Sequence, residues 1–149
     1  MNNLFQQEVA VDIQRRIDKL SPQTKGLWGK MSVAQMVAHC QVPLQVALGR
    51  KELKRGLFGV LFGKIAKKQM LKETPFKKNL PTDPSFIIRY QPDFNHEKQQ
   101  LVLLVQSFAT ANIGEIEARP HPFFGKMTED EWGRLMWKHL DHHLQQFGV

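Results

Sequence analysis

The sequence predicts an all-α protein, a four-helix bundle with a long basic insertion between its second and third helices. Apolar residues recur at the helical spacing of three or four positions in four separate stretches. Two of these stretches begin with a capping box, in which Ser or Thr is followed three residues later by Gln or Glu. The chain has 149 residues, of which 42% are hydrophobic. That is enough for one core, so we predict a single domain over residues 1–149.

The first predicted helix occupies residues 5–19. Its apolar positions recur at helical spacing and define the face that should turn toward the core. The helix should end before Pro22, because the proline ring clashes with a continuing helix. The apolar positions are Val9, Ile13, Ile17 and Leu20.

The second predicted helix begins with a capping box formed by Ser32 and Gln35. It should end near Gly49, where glycine suits a helix C-terminus. Pro43 lies inside this stretch and predicts a kink or an early break. The core candidates of this helix are Val33, Met36, Val37, Cys40, Leu44 and Ala47.

The third predicted helix follows Pro92, with Asp93 or Asn95 as its N-cap, and runs to about residue 111. The apolar run Leu101–Val105 could also form a strand, since periodicity alone does not separate the two in so short a run. We favour the helix, because the four residues before the run are good helix formers.

The fourth predicted helix begins at Thr128, with Glu131 completing its capping box, and ends near Gly148. At about 100° per residue, His139 and His143 fall within a sector of about 60° that also holds Trp132 and Met136. Both histidines therefore point toward the core. Two imidazoles at positions i and i+4 of one helical face are an arrangement that chelates zinc or nickel.

The rest of the histidine pattern adds one candidate ligand and no general base. His39, in the middle of the second helix, is the best third ligand, although an isolated interior histidine is more often only hydrogen-bonded. Three histidines would leave a coordination position open for water or substrate. The pattern differs from the HExxH motif of zinc proteases, because Leu140 replaces the glutamate and Asp141 projects from the opposite face. His142 should lie at the edge of the core or in solvent.

Three further side chains have simpler interpretations. His96 and His121 read as ordinary loop or cap residues. Cys40 lies next to His39 and could be a metal ligand or a reactive thiol, but a small buried hydrophobe is the simpler role. As the single cysteine of the chain, it cannot form an internal disulfide, which suits a reducing compartment. With no signal peptide and no apolar run of about 20 residues, we expect a cytoplasmic protein without a transmembrane segment.

The positive charge of the protein is concentrated in the insertion. The net charge is +7, and Arg50–Lys78 holds ten Lys or Arg against two acids, a local charge of +8. The insertion, residues 50–91, consists of a basic piece with helical character, Gly56–Leu71, followed by a proline-punctuated loop. Connections of this length are often lids or binding loops.

Several blocks of the sequence carry a family resemblance. They read WGKMSVAQMVAHC at 28–40, PFKKNLPT at 75–82, HPFFGKMT at 121–128, WGR at 132–134 and HLDHHLQQFG at 139–148. Together they resemble a branch, of unknown function, of the DinB/YfiT-like superfamily, and they cover most of the chain. The C-terminal block is highly specific. The long basic insertion departs from the simple bundle of that superfamily.

The resemblance implies a four-helix bundle with a divalent metal, most often zinc or nickel, held by one histidine of helix two and an HxxxH pair of helix four. In this sequence those residues are His39, His139 and His143. Characterised relatives include thiol-dependent S-transferases and a mycothiol-dependent isomerase, which use the metal to activate a thiol. Despite its name, the superfamily does not imply DNA chemistry.

The leading functional hypothesis is therefore a metal-dependent enzyme that transfers a low-molecular-weight thiol, with hydrolysis as a variant. Lys77, Lys78 and Asn79 are candidate contacts for an anionic small-molecule substrate. The alternative is a non-catalytic binding module, in which Arg50–Lys78 binds an anionic ligand or a membrane surface and the metal site is structural or vestigial. The simpler interpretation of this segment is that its apolar residues cover the bundle while its lysines face water.

The sequence also bears on two other kinds of partner, nucleic acid and a second copy of the chain. Nucleic acid is disfavoured, because stacking aromatic residues and a known nucleic-acid-binding motif are missing. Apolar residues of the basic piece hint at a homodimer. These residues are Leu53, Leu57, Phe58, Leu61, Phe62 and Ile65, interleaved with Lys54, Arg55, Lys64, Lys67 and Lys68.

Overall fold

A computed structural model describes residues 1–54 and 57–149, with the side chains of residues 57–60 left out. The predicted basic segment is thus partly outside the described residues, at Arg55 and at the side chains of Leu57 and Phe58. The described part contains six α-helices, one short 3-10 helix at Pro84–Phe86 and no strand. The α-helices are α1 (Gln7–Asp18), α2 (Val33–Ala47), α3 (Leu57–Met70), α4 (Phe94–Ala109), α5 (Ile113–Glu117) and α6 (Glu129–Gln146). The predicted all-α class is confirmed.

The four long predicted helices correspond to α1, α2, α4 and α6, and they surround the core. Helices α1 and α2 each contact both α4 and α6. Their apolar faces bury a continuous cluster of side chains. Such packing of an apolar face is the source of most helix stability in proteins. Its largest fully buried members include Trp132, Phe108, Ile13, Ile17, Met36, Leu44, Leu101 and Leu140.

The predicted capping boxes set the starts of the two helices that carry the histidines. In α2, the Ser32 hydroxyl accepts from the Gln35 amide while the Gln35 side chain accepts from the Ser32 amide. Thr128 and Glu131 form the same reciprocal pair at the start of α6. Two amides that the helix itself leaves unpaired are thereby satisfied at each N-terminus.

The interior of α2 shows how packing overrides a local preference. The predicted early break at Pro43 is wrong, because the helix continues through this residue to Ala47. Proline removes one helical hydrogen bond. Twelve of the fifteen residues of α2 are nevertheless buried, and that packing stabilises the uninterrupted helix. The amide of Gly49 closes the final turn on the carbonyl of Val46.

The apolar run of the third predicted helix is helical, as favoured. It lies in the middle of α4, whose N-cap is Asp93, with its side chain accepting from the His96 amide. The short helix α5 was not predicted, because its five residues hold too little periodicity to stand out. In the described part of the chain, no helix is long and apolar enough to cross a bilayer.

The chain between α2 and α4 packs its last residues against α2. The side chain of Gln35 donates from Nε2 to the carbonyl of Ile88 at 3.3 Å and to that of Tyr90 at 3.2 Å. Just before them, the 3-10 helix Pro84–Phe86 begins at Asp83, whose carboxylate accepts from the Ser85 amide. These bonds place the carbonyl of Phe86 beside α2 at the level of His39.

Candidate metal centre

Three histidines from two helices meet between α2 and α6. His39 lies in α2, and His139 and His143 lie one turn apart in α6. One ring nitrogen of each lies within 4.8 Å of the others, and the Nε2 atoms of His39 and His139 are 3.0 Å apart. His39 and His143 are buried, and His139 is half-buried. The structure thus brings together the three histidines that the sequence singled out, and this group could hold a metal ion.

The backbone fixes which nitrogen of His39 is available. Its Nδ1 lies 2.9 Å from the carbonyl oxygen of Phe86. A carbonyl can only accept, so Nδ1 must carry the hydrogen, and in a neutral ring Nε2 then keeps its lone pair. This lone pair points toward His139. Hydrogen bonding of the distal nitrogen to a carbonyl is the usual way in which proteins orient a metal-binding imidazole.

A buried glutamine, Gln146, likewise fixes which ring nitrogen of His143 is available. His143 Nδ1 lies 2.8 Å from Gln146 Oε1, and Gln146 Nε2 donates to the carbonyl of Trp28 at 2.8 Å. Because the carbonyl of Trp28 can only accept, the side-chain amide of Gln146 must turn its nitrogen toward Trp28 and its oxygen toward His143. That oxygen also can only accept, so Nδ1 of His143 carries the hydrogen. Gly29 makes room for this arrangement. It adopts a φ of +81°, and a Cβ at this position would overlap the amide nitrogen of Gln146.

Burial keeps all three rings neutral. Desolvation lowers the pKa of His39, against the opposing effect of its bond to Phe86. The pKa of His143 falls to about 3, chiefly through burial. The pKa of His139 lies well below its usual value, through burial first and then repulsion from the neighbouring histidines. Neutral imidazole is the form that binds a metal, so at pH 7 none of the three rings has to lose the extra proton of an imidazolium before it can bind one.

The residues present fit a divalent ion with nitrogen ligands. Nitrogens on one tetrahedral zinc ion lie about 3.4 Å apart, because each is about 2.0–2.1 Å from the metal. The separation of 3.0 Å between His39 and His139 is close to that spacing. A set of three imidazoles suits zinc, copper, iron or nickel better than magnesium or calcium, which prefer oxygen.

The comparison with known families gives one result. A family model described as "Protein of unknown function (DUF1569)" matches residues 5–148. The chain belongs to the DUF1569 family. No curated protein and no solved structure matches it. All three histidines of this DUF1569 chain lie inside the matched region.

The rings of Trp28, Phe76 and His142 form an aromatic rim beside the three histidines of the DUF1569 chain. The His142 ring is half-buried and makes edge contacts with Trp28 and Phe76, at centroid distances of 5.8 and 5.7 Å. It also lies 5.1 Å from the ring of His143. The prediction that His142 sits at the edge of the core is confirmed, and burial lowers its pKa.

The predicted substrate contacts directly follow Phe76, one of the three rim residues, on the same loop. Lys77, Lys78 and Asn79 are all exposed, and Lys78 places its Nζ 4.3 Å from the centroid of the Trp28 ring. Lys78 is therefore close to the rim. No described contact ties Lys77 or Asn79 to the histidines, and their role in substrate binding stays a prediction.

Sequence reasoning missed the two groups that orient the ligands. Gln146 lies three residues after His143, on the same face of α6, and a buried glutamine at that spacing was a detectable signal. The carbonyl of Phe86 left no signal at all, because any residue type supplies the same backbone oxygen. Its position depends on how the loop before α4 packs.

The remaining candidates have structural roles, as expected. Cys40 is buried, its thiol lies 3.7 Å from the sulfur of Met36, and burial raises its pKa. His121 caps a turn, with Nδ1 accepting from the amides of Phe123 and Phe124 at 3.1 Å each. His96 is exposed in the first turn of α4. None of the three belongs to the histidine group.

Proposed function

We propose that this DUF1569 protein is a single DinB/YfiT-like four-helix bundle that binds a divalent metal, zinc or nickel, through His39, His139 and His143. The observation that carries the proposal is the convergence of three neutral imidazoles, two of them oriented by outside acceptors. A structural zinc site usually closes with four protein ligands, whereas three leave a position for water or substrate. Within the described residues, the group that could hold a metal contains these three histidines and no fourth ligand.

We further propose that the protein is an enzyme that transfers a low-molecular-weight thiol to a small electrophile. A bound divalent metal would lower the pKa of the thiol, or of a water molecule in a hydrolytic variant, and so supply a strong nucleophile. In the transfer, the sulfur forms a bond to an electrophilic carbon, the bond to the leaving group breaks with its electron pair, and the thiol proton goes to solvent.

The properties of Cys40 support a thiol that comes from outside the chain. The thiolate is the reactive form of cysteine, and burial raises the pKa of Cys40. It is also the single cysteine of the chain. The protein therefore has no reactive thiol of its own, and a free buried cysteine fits the reducing cytoplasm, where low-molecular-weight thiols are abundant.

The rim residues would act on the substrate. Lys78 lies over Trp28, and a cation held at an aromatic face can attract an anionic group to the same place. With Lys77 and Asn79 on the same loop, it would orient a substrate that carries a carboxylate or phosphate. The half-buried His142 ring would exclude water from one side of the histidines.

The first experiment measures the metal and then the reaction. Purified protein should contain about one zinc or nickel per chain, and His39→Ala, His139→Ala and His143→Ala should each lose it, while the exposed His96→Ala keeps it. The metal-loaded protein should then consume a low-molecular-weight thiol together with an alkylating electrophile, and the stripped protein should not.

The outcomes separate three functions. Metal binding with consumption of the electrophile only when a thiol is present supports transfer, and consumption without thiol supports hydrolysis. Metal binding without turnover, together with a large fall in melting temperature on chelation, would identify a structural ion in a non-catalytic protein. Wild-type metal affinity in His39→Ala would reject the three-histidine site.

A further inference from the structure

Helix α3 exposes apolar side chains that the simpler interpretation of the sequence expected to be buried against the bundle. Leu61 is 64% exposed, Ile65 73% and Phe62 46%. The prediction that the apolar residues of the basic segment cover the bundle is therefore wrong for these three. Leu53, outside the helix, is partly buried against the core as expected.

The other side of α3 is fastened to the rest of the protein, which fixes the rotation of the helix. Lys67 Nζ donates to the Glu131 carboxylate at 2.9 Å and to the carbonyl of Lys126 at 3.0 Å. One turn earlier, a Cβ at Gly63 would overlap the carbonyl oxygen of Phe123. Glycine is what permits this close approach between the helix and the neighbouring loop.

The C-terminal end of α3 is held by cations from α6. Lys138 Nζ donates to the carbonyls of Met70 and Lys72 at 2.9 and 2.6 Å, and Arg134 donates to the carbonyl of Leu71 at 3.0 Å. These carbonyls lie at the negative end of the helix dipole, where positive charge is stabilising. The helix therefore cannot roll its exposed face inward without breaking these bonds.

The exposed face combines apolar and cationic residues. At about 100° per residue, Leu61, Ile65 and Lys68 fall within about 60° of one another and roughly opposite Gly63 and Lys67. Lys64 and Phe62 flank them on either side. Lys64 and Lys68 are both exposed. We call Leu61, Phe62, Lys64, Ile65 and Lys68 the outer face of α3.

We propose that the outer face of α3 docks on an anionic lipid surface. Apolar side chains of an amphipathic helix enter the boundary between headgroups and acyl chains, while lysines reach the headgroups through their flexible stems. Each lysine near an anionic surface strengthens binding by about fivefold. The local charge of +8 over Arg50–Lys78 adds attraction at longer range.

Charge favours lipid over a second copy of this chain as the occupant. Residues 57–70 contain no acid, and the two acids of the basic segment, Glu52 and Glu73, lie outside the helix. A symmetric dimer through this face would place Lys64 and Lys68 of both copies together without compensating carboxylates. An anionic bilayer supplies the missing charge.

Vesicle sedimentation tests the proposal with the full-length protein. We expect it to sediment with vesicles of phosphatidylcholine and phosphatidylglycerol at low salt, to bind pure phosphatidylcholine at least about tenfold more weakly, and to be released as salt screens the charges. Leu61→Gln/Ile65→Gln should remove binding. Lys64→Gln/Lys68→Gln should weaken it about 25-fold, from about fivefold per lysine.

Matched controls test whether binding depends on the outer face of α3 or on exposed apolar and cationic residues in general. Leu103→Gln removes an exposed apolar side chain of α4, and Lys19→Gln/Lys25→Gln removes two exposed lysines elsewhere; both should bind like wild type. Circular dichroism verifies that every variant is folded. The proposal is overturned if anionic vesicles do not sediment the protein at low salt, or if the controls lose as much binding as the outer-face variants. It is also overturned if Leu61→Gln/Ile65→Gln abolishes a lipid-free dimer instead.

Discussion

The Nε2 atoms of His39 and His139 lie 3.0 Å apart, although 100 residues separate them in the chain. His39 Nδ1 is committed to the carbonyl of Phe86, so the hydrogen between the two rings must belong to His139. In the metal-free protein, His139 therefore donates from Nε2 to the lone pair of His39. To hold a metal, both Nε2 atoms would have to offer lone pairs, so this hydrogen would have to leave Nε2 of His139.

This arrangement predicts a change of tautomer on metal binding. His139 should switch from the Nε2–H to the Nδ1–H form, because its Nε2 becomes a ligand, whereas His39 and His143 should remain Nδ1–H throughout. Long-range ¹H–¹⁵N spectra of the imidazoles, recorded with and without zinc, distinguish the forms. Finding His139 already in the Nδ1–H form without metal would contradict the hydrogen bond on which the prediction rests.

Replacing Gln146 should weaken metal binding without removing a ligand. Gln146→Leu deletes the acceptor that holds Nδ1 of His143, and loss of such an outer partner typically costs about 10–100-fold in metal affinity. Competition with a chromogenic chelator measures the change. Gln145→Leu is the matched control, because Gln145 is exposed on the same helix. Equal affinities for the two variants would show that Gln146 does not position His143.

Gly29 should be needed for the same contact. Gly29→Ala places a Cβ where the Gln146 amide lies and imposes an unfavourable φ, so Gln146 should be displaced and metal affinity should fall in the same direction as in Gln146→Leu. The double variant should be little weaker than either single one, because both remove one interaction. Additive losses in a double-mutant cycle would show two independent effects.

His121 should make the protein sensitive to acid. Burial lowers its pKa from 6.5 to about 4, so its contribution to stability is complete above pH 6.5 and is lost as pH falls toward 4. His121→Asn keeps an acceptor for the turn and should reduce the fall in unfolding free energy between pH 6.5 and 4 by up to about 3 kcal/mol. Urea denaturation across this range measures it. The exposed His96→Asn should follow the wild-type curve, and an unchanged slope in His121→Asn would reject the assignment.

Cys40 should be unreactive in the folded protein. It is buried and burial raises its pKa, so labelling by a thiol reagent should be much slower in the native state than in urea. Cys40→Ala should retain metal binding, because Cys40 is not in the histidine group. Rapid native labelling, or loss of the metal in Cys40→Ala, would instead assign the thiol to the site.

Local signals in the sequence were sufficient for the four long helices α1, α2, α4 and α6 and for the direction of the histidine pair. The capping boxes at Ser32 and Thr128 and the spacing of His139 and His143 act within one helical turn, so they can be read from the chain without a fold. The same is true of Asp93, whose side chain caps the helix that contains Leu101–Val105.

Tertiary packing decided the features that join distant segments. The position of His39 in the second helix and the family resemblance both suggested it as the third ligand. Its distance from His139, however, depends on how α2 and α6 pack, and the orienting oxygen of Phe86 depends on the loop before α4. The exposure of Leu61 and Ile65 also could not be predicted from the local sequence pattern. An amphipathic sequence defines an apolar face. The tertiary contacts of α3, among them the bonds of Lys67 and Lys138 and the close approach at Gly63, decide that this face turns outward.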